Sequence, residues 1–176
     1  MRSPKKELSE KIEKAIRKIS LPQHLQEINE WITQTKMSPV EVHQKAHIAL
    51  LYGSKQTNIP STAALFAHQA GKELYHVDLS ALVSKYIGET EKNLEHLFKV
   101  AETKDWILFF DEADAIIGKR TKIQDSHDRY ANLEVSYLLE KIEAYNGLVI
   151  FATNRKSKID AAFLRRIKHI IRIPTS

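Results

Sequence analysis

Short apolar runs alternate with segments of helical periodicity along most of this chain, and this alternation restricts the fold more than any other feature of the sequence. The apolar runs occupy residues 47–52, 74–78, 106–110, 148–152 and 169–173. Helical spacing of apolar side chains marks residues 61–70, 91–101 and 129–143 between them. Strands that alternate with helices predict an α/β fold, in which a five-stranded parallel sheet carries helices on both faces.

The first 37 residues differ from the rest of the chain. Residues 5–19 place aliphatic side chains at helical spacing with lysines and glutamates between them, and Pro22 suits the start of a second helix. Ser38 and Pro39 mark a junction. We therefore expect one or two helices in residues 1–37, followed by an α/β domain in residues 38–176.

Composition excludes several classes of protein. The 176 residues are 43% hydrophobic and 28% charged, which is typical of a globular domain with a full core. The absence of cysteine excludes disulfides and thiol catalysis, and with no apolar run approaching ~20 residues we expect a cytoplasmic protein without a membrane partner. The net charge of +5 lies partly in the first helix among acidic residues, so we interpret it as a solvated face and do not expect nucleic acid as a partner.

Polar side chains follow two of the predicted strands. Asp111 and Glu112 come directly after the third strand, and Asn154 follows the fourth. In open parallel sheets, ligands bind outside the carboxyl ends of the strands. Carboxylates there can hold a magnesium ion and activate a water molecule, although they can also be merely solvated, and Asn154 can be a simple turn residue.

An aromatic residue, an aliphatic residue and a glycine precede the helix that begins near residue 89. Tyr86 and Ile87 stand before Gly88, followed by Glu89 and Thr90. The acidic and hydroxyl residues are typical of a helix start, beside which the tyrosine would pack. An exposed aromatic–aliphatic pair before a glycine is also suited to gripping an extended polypeptide in a central channel.

Several motifs occur together in a characteristic order. They comprise residues 86–94, 110–114, 118–120, 126–132, 152–154 and 163–166. In these motifs the chain resembles the AAA-family (AAA+) ATPase domains, which are P-loop NTPases, and among them it is most similar to the ATPases of contractile injection systems. The resemblance covers roughly residues 21–174. It implies ATP or ADP with Mg²⁺ as cofactors, a protein substrate or partner, and assembly of identical or different subunits into a ring.

The resemblance also implies roles for individual residues. Asp111 would hold magnesium through water, Glu112 would act as the catalytic base, and Asn154 would be the sensor residue. Tyr86, Ile87 and Gly88 would form a pore loop. The resemblance further implies that the strand before the phosphate loop lies in the middle of the sheet. A helical lid normally follows this core, and since the sequence ends at residue 176, directly after the fifth strand, we expect no lid in it.

Arginines near residue 165 would act on the neighbouring subunit in such a ring. Arg165 matches the first of these fingers. Arg166 fits the second best, with Lys168 as the alternative, which would keep the charge but lose the bidentate geometry of a guanidinium group. A surface arginine doublet without such a role is the other interpretation.

The phosphate loop departs from the pattern Gly-x-x-x-x-Gly-Lys-Ser/Thr. It starts correctly at Gly53 and continues through Thr57, but Asn58, Ile59 and Pro60 replace the second glycine, the lysine and the hydroxyl residue. We expect Asn58 to keep part of the turn through a left-handed backbone, and Pro60 to suit the first helical turn. Ile59 supplies no cation for the phosphates, so the loop is degenerate and nucleotide binding should be weak or lost.

Two functions therefore remain open. The chain is a non-catalytic AAA module, a scaffold or partner subunit of a ring, or it is an active ATPase that remodels a protein partner. A one- or two-residue slip that lets Ser61 or Thr62 supply the hydroxyl, or an approach of Lys55 to the phosphates, would favour the active form.

Overall fold

The computed structural model describes residues 47–54, 58–78, 82, 88–118 and 126–173, and for residues 126–134 it describes the backbone. The predicted helices of residues 1–37 lie outside these ranges. The same holds for Lys55, Thr57, Tyr86 and Ile87, so the predictions made for them stay predictions.

Five strands form one sheet in which every pairing is parallel, as the alternating pattern predicted. They are β1 (His47–Tyr52), β2 (Leu74–His76), β3 (Ile107–Phe110), β4 (Leu148–Thr153) and β5 (His169–Arg172). Their order across the sheet is β2-β3-β4-β1-β5. We expected β1, the strand before the phosphate loop, to be the middle strand, and this is wrong. The middle strand is β4: β3 and β2 lie on one side of it, and β1 and β5 lie on the other.

The helices with described bounds are α1 (Ile59–Ala70), α2 (Glu89–Lys104), α3 (Ser126–Ala144) and α4 (Ala161–Leu164). The sequence predicted the first three helices with narrower bounds, at residues 61–70, 91–101 and 129–143. The short helix α4 was not predicted, because four residues are too few to show a periodic pattern. The side chain of Asp160 caps it by accepting hydrogen bonds from the backbone N–H groups of Ala162 and Phe163. No helix within the described ranges is both long enough and apolar enough to cross a membrane.

Both faces of the sheet are buried at the inner strands β3, β4 and β1, whereas the edge strands β2 and β5 are mostly exposed or half-buried. Leu50 and Val149 belong to a cluster that includes apolar residues of α2 and α3, and their chain neighbours Leu51 and Ile150, which face the other way in a strand, are buried as well. This accounts for the nearly continuous apolar runs that marked the strands in the sequence, since a parallel sheet covered on both faces needs apolar side chains at every position.

Tyr145 connects the end of α3 to the start of β3. Its hydroxyl donates a hydrogen bond of 2.6 Å to the backbone carbonyl of Trp106, and burial raises the pKa of Tyr145 above its usual range. A Cβ atom added at Gly147 would lie 2.5 Å from the Tyr145 ring. Glycine is therefore required where the chain turns from Tyr145 into β4.

His47, at the start of β1, is only 8% exposed. Burial, together with the positive fields of Lys168 and His169, lowers the pKa of His47 from 6.5 to about 4. The Nζ atom of Lys168 lies 3.5 Å from Nε2 of His47. His47 is thus buried in its neutral form, which makes the stability of the fold depend on pH.

The stability contributed by neutral His47 is fully present above pH 6.5 and is lost as the pH falls towards about 4, because the unfolded state then binds a proton that the folded state does not. Urea titrations at a series of pH values should show a loss on the order of 3 kcal/mol over this window. The loss should be smaller by about this amount in a His47→Gln variant. His96→Gln, which changes an exposed histidine of α2, is the control; equal pH dependence in all three proteins would contradict the prediction.

Candidate functional site

The segment after β3 carries the first two predicted site residues. Asp111 is half-buried, and its Oδ1 accepts a 2.8 Å hydrogen bond from the backbone N–H of Glu112. Glu112 is exposed and has a φ of 49°, a left-handed conformation that is uncommon for a residue with a side chain. The chain therefore turns sharply at the carboxyl end of β3 and leaves the Glu112 carboxylate at the surface.

Thr153, the last residue of β4, joins this segment to the next one. It is 2% exposed, and its Oγ1 donates a 2.8 Å hydrogen bond to Oδ1 of Asp114. The same oxygen accepts a 2.9 Å hydrogen bond from the backbone N–H of Arg155. One buried hydroxyl thus links the segments that follow β3 and β4. Neither Thr153 nor Asp114 was assigned a role from the sequence, although a hydroxyl that ends a buried strand was a usable signal.

These segments enclose a cavity of about 350 Å³ at the carboxyl edge of the sheet. Its lining is mostly polar and consists of Asp111, Glu112, Asp114, Ala115, Asn154 and Arg155. The structure therefore brings together the three residues that the sequence analysis singled out after β3 and β4. It also adds Asp114 and Arg155 to them. The catalytic roles of these residues stay predictions.

The start of α1, where the phosphate loop ends, is organised around Asn58. The backbone of Asn58 has a φ of −88°, and its side chain accepts a 3.2 Å hydrogen bond from the N–H of Ser61. The expectation of a left-handed turn at Asn58 is wrong, because an asparagine side chain can instead cap the helix from a residue with negative φ. Pro60 lies in the first turn of α1, as expected.

The other side chains in this first turn are also engaged. Ile59 is 6% exposed and belongs to the core. The hydroxyl of Thr62 lies 3.3 Å from the carbonyl of Asn58, to which it donates a hydrogen bond within the helix. That contact leaves Thr62 poorly suited to supplying the hydroxyl of a slipped phosphate loop.

Magnesium fits the carboxylate side of the cavity, since Mg²⁺ binds through one or two carboxylates and keeps several waters. Among the described residues, no three His, Cys, Asp or Glu side chains converge to form a preformed metal cluster. The α1 side does not fit a triphosphate. The N–H of Ser61 is hydrogen-bonded to Asn58, Pro60 has no N–H, and the buried Ile59 offers no positive charge.

The predicted arginine fingers lie at the end of α4. Arg165 is exposed and ends this helix. Nη1 of Arg166 forms a 2.7 Å ion pair with Oε1 of Glu143 in the same chain, with more than half of each side chain exposed. Lys168 lies near the amino end of β1, where it contacts His47. Among the described residues, Arg166 is therefore the member of this group that forms an ion pair, whereas Arg165 and Lys168 form none.

Gly88, the described residue of the predicted pore loop, precedes α2. Its φ is 80°, and a Cβ atom placed there would meet nothing within 4 Å. The glycine is therefore favoured by backbone conformation and not by crowding.

Two cationic side chains follow Asn154. Arg155 lines the cavity, and Nζ of Lys156 lies 4.3 Å from the centroid of the Tyr52 ring, at the end of β1. Tyr52 directly precedes Gly53, where the phosphate loop begins. Neither cation could be recognised from the sequence, because Tyr52 and the residues that line the cavity lie far from Arg155 and Lys156 in the chain or are polar residues of ordinary loop type.

Comparison with known proteins agrees with this architecture. The model of the ATPase family associated with various cellular activities (AAA) matches residues 49–175. The chain is 35% identical over 166 residues to the proteasome-activating nucleotidase of Methanosphaerula palustris, covering 88% of this chain and 40% of that protein. It is 32% identical over 166 residues to the 26S proteasome subunit RPT4 of Saccharomyces cerevisiae, covering 88% and 38%.

A third relative is spastin of Ixodes scapularis, 33% identical over 123 residues that cover 66% of this chain and 19% of that protein. The chain thus spans less than half the length of each of these relatives. These relatives are named as a proteasome-activating nucleotidase, a 26S proteasome subunit and a spastin, and not as ATPases of contractile injection systems, so the finer resemblance is not confirmed. The match over residues 49–175 and the identities to these relatives show that the chain belongs to the AAA family of ATPases.

Proposed function

We propose that this chain is a AAA module that takes part in a ring acting on protein partners, and that it binds ATP weakly or not at all. Two of the relatives are named for the proteasome, a protein-handling assembly, which supports a protein as the partner. In the proposed ring, Arg165 reaches the neighbouring subunit, with Arg166 or Lys168 as a second finger, and Tyr86 contacts the protein substrate. Residues 1–37 form a separate helical segment in this proposal.

The observation that carries the proposal is the chemistry of the first turn of α1. A phosphate-binding helix start needs free N–H groups and a lysine that reaches the phosphates. Here the N–H of Ser61 is engaged by Asn58, and position 59 holds an apolar side chain that is 6% exposed. An anion at this helix start would therefore meet fewer donors than a phosphate needs and no cation from position 59.

An active ATPase that remodels a protein partner is the second candidate. It is favoured by the carboxylate cavity, where Asp111 and Glu112 lie with Asn154 in one lining. In that case Asp111 would hold magnesium through water, and Glu112 would accept a proton from the attacking water. Both functions need the same fold, so they differ in nucleotide affinity and turnover alone.

Calorimetry with MgATP and MgADP, combined with a phosphate-release assay, tests the proposal. We expect dissociation constants in the millimolar range or above and no turnover beyond the background, because the triphosphate lacks its main electrostatic contacts. Glu112→Gln should leave this background unchanged. Micromolar affinity with turnover that disappears in Glu112→Gln, but not in the control Glu140→Gln at an exposed position of α3, would establish the active ATPase instead.

A further inference from the structure

The strand β5 lies at the edge of the sheet, where it pairs with β1 on one side. The N–H of Ile173, directly after β5, donates a 2.8 Å hydrogen bond to the carbonyl of Tyr52 in β1. Because successive residues of a strand point their backbone groups to opposite sides, the N–H and C=O groups of Ile170 and Arg172 point away from β1. Within the described ranges no residue forms a hydrogen bond with these groups. The strand therefore offers backbone donors and acceptors along the open edge of the sheet.

The side chains of β5 place an apolar group between cations at this edge. Ile170 is 38% exposed and, with Tyr75, is one of the two large apolar side chains exposed in the described part of the chain. Arg172 is exposed as well, whereas Ile171 between them is buried. Strand periodicity thus puts Ile170 and Arg172 on one face, about 7 Å apart. Lys168, two residues before Ile170, is also exposed.

The charge around this edge is strongly positive. Residues 155–172 contain seven lysines and arginines and one acidic residue, Asp160, whose carboxylate caps α4. Among the described residues, neither Lys168 nor Arg172 forms an ion pair. The imidazole of His47, which Lys168 contacts, is neutral and does not compensate its charge. A carboxylate brought to the edge would therefore meet cations that no described acidic side chain neutralises.

These cations also discriminate between possible occupants. Charged side chains on an edge strand commonly prevent identical chains from pairing through it. Two β5 strands paired antiparallel about Ile170 would place Lys168 opposite Arg172, and like charges directly opposite each other are destabilising. Acidic side chains at the same cross-strand positions would be stabilising instead. The exposed isoleucine, which a purely protective edge does not need, adds an apolar contact for the residue between them.

We propose that the β5 edge, formed by Lys168, Ile170 and Arg172, binds an extended protein segment in which acidic residues flank an apolar residue at two-residue spacing. The segment adds to the sheet as a sixth strand and pairs with the backbone of Ile170 and Arg172. Its carboxylates meet Lys168 and Arg172, and its apolar side chain packs on Ile170. In such strand additions the main-chain hydrogen bonds supply affinity, and alternate side chains supply specificity. The site goes beyond the proposed function, since it requires neither nucleotide nor a ring.

The full 176-residue chain should be titrated with a capped peptide of about ten residues in which glutamate and valine alternate. We expect a dissociation constant below about 1 mM by fluorescence anisotropy. Saturating peptide should slow amide hydrogen exchange at Ile170 and Arg172 at least about tenfold, because their N–H groups become hydrogen-bonded, and should change that of Ile171 little. A peptide with lysine in place of glutamate, and one with N-methylated amides at alternate residues, should not bind.

Substitutions at the edge test the assigned residues. Arg172→Glu should weaken binding at least about tenfold, because it puts a carboxylate opposite a carboxylate. Ile170→Pro should abolish binding, since it removes a donor that points away from β1, and proline is tolerated on edge strands. If this variant does not fold, Ile170→Thr, which keeps a β-branched residue, should weaken binding at least about threefold. Thermal melts of each free variant check the fold.

Lys158→Glu is the matched control, because it makes the same change of charge at an exposed position outside β5. If it weakens binding as much as Arg172→Glu does, the peptide senses only general surface charge and the proposal is wrong. Undiminished binding of the N-methylated peptide would exclude strand addition. Slow exchange at Ile170 and Arg172 without peptide would also overturn the proposal: a second copy covers the edge if sedimentation shows a dimer, and the chain itself covers it otherwise. None of these outcomes bears on the nucleotide affinity that tests the proposed function.

Discussion

The triple variant Asn58→Gly, Ile59→Lys, Pro60→Thr is expected to bind MgATP at least about a hundredfold more tightly than the wild-type chain. The lysine would supply the cation that phosphates lack at this helix start, and the threonine would restore a backbone N–H and a magnesium ligand. Removing one preorganised donor from a catalytic site typically lowers the rate by about 10²–10³, and we expect a change of similar size in affinity here. Calorimetry on the wild type and the triple variant under identical conditions measures the gain.

The same substitutions should lower the stability of the fold. Asn58 caps α1 through its bond to Ser61, and replacing a cap by glycine costs a few tenths of a kcal/mol. Removing the buried Ile59 side chain should cost about 2–4 kcal/mol more. A thermal melt in the absence of ligand should therefore show a lower midpoint, which MgATP raises again if it binds.

The double variant Asn58→Gly, Pro60→Thr, which keeps Ile59, is the control for this experiment. It has the glycine and the hydroxyl residue of the usual loop pattern but no lysine at position 59. Its affinity for MgATP should therefore rise much less than that of the triple variant. If the triple variant is folded and still does not bind MgATP, the phosphate loop is not what limits affinity in this chain. This result would also contradict the explanation that MgATP binds weakly because position 59 holds an isoleucine.

Phe151→Ala is expected to lower the free energy of unfolding by about 3–5 kcal/mol, the usual range for removing a buried phenylalanine. Phe151 lies in the middle strand β4 and is fully buried. Its ring centroid is 5.2 Å from that of Phe110 and 5.3 Å from that of Phe163. Urea denaturation monitored by circular dichroism gives this value directly.

The position of Phe151 gives its loss a second consequence. Phe110 directly precedes Asp111, and Phe163 lies in α4, two residues before Arg165. One ring therefore supports both the carboxylate segment and the arginine segment. Ile170→Ala, at a 38% exposed position of β5, is the matched control and should cost less than about 1 kcal/mol. Similar losses in the two variants would show that the aromatic cluster does not carry the stability assigned to it.

The sequence predicted the fold well because the fold depends on periodic patterns. A buried parallel strand must be apolar at every position, and an amphipathic helix must repeat its apolar residues every three to four positions. Residues 148–152 and 107–110 could thus be recognised as strands without any tertiary information. The order of the strands could not be read in this way, since nothing in the pattern distinguishes the middle strand β4 from β1.

Parts of the candidate site were equally readable. A carboxylate pair and an asparagine that end neighbouring strands had to meet at one edge of the sheet, and Asp111, Glu112 and Asn154 do line one cavity. The conformation of Asn58 was predicted wrongly, because its residue type permits both a left-handed turn and a helix cap. The choice between them depends on whether an N–H, here that of Ser61, lies within reach.

The amino-acid sequence by itself determined the parallel α/β architecture, the membership in a family of ATPases, and the absence of a lysine and a hydroxyl residue at positions 59 and 60. Only the tertiary structure decided that Thr153 binds Asp114, and that Lys156 lies over the ring of Tyr52, the residue before Gly53. These contacts join residues that are far apart in the chain. They arise because parallel strands bring their carboxyl ends to one edge, whatever the distance between them in sequence.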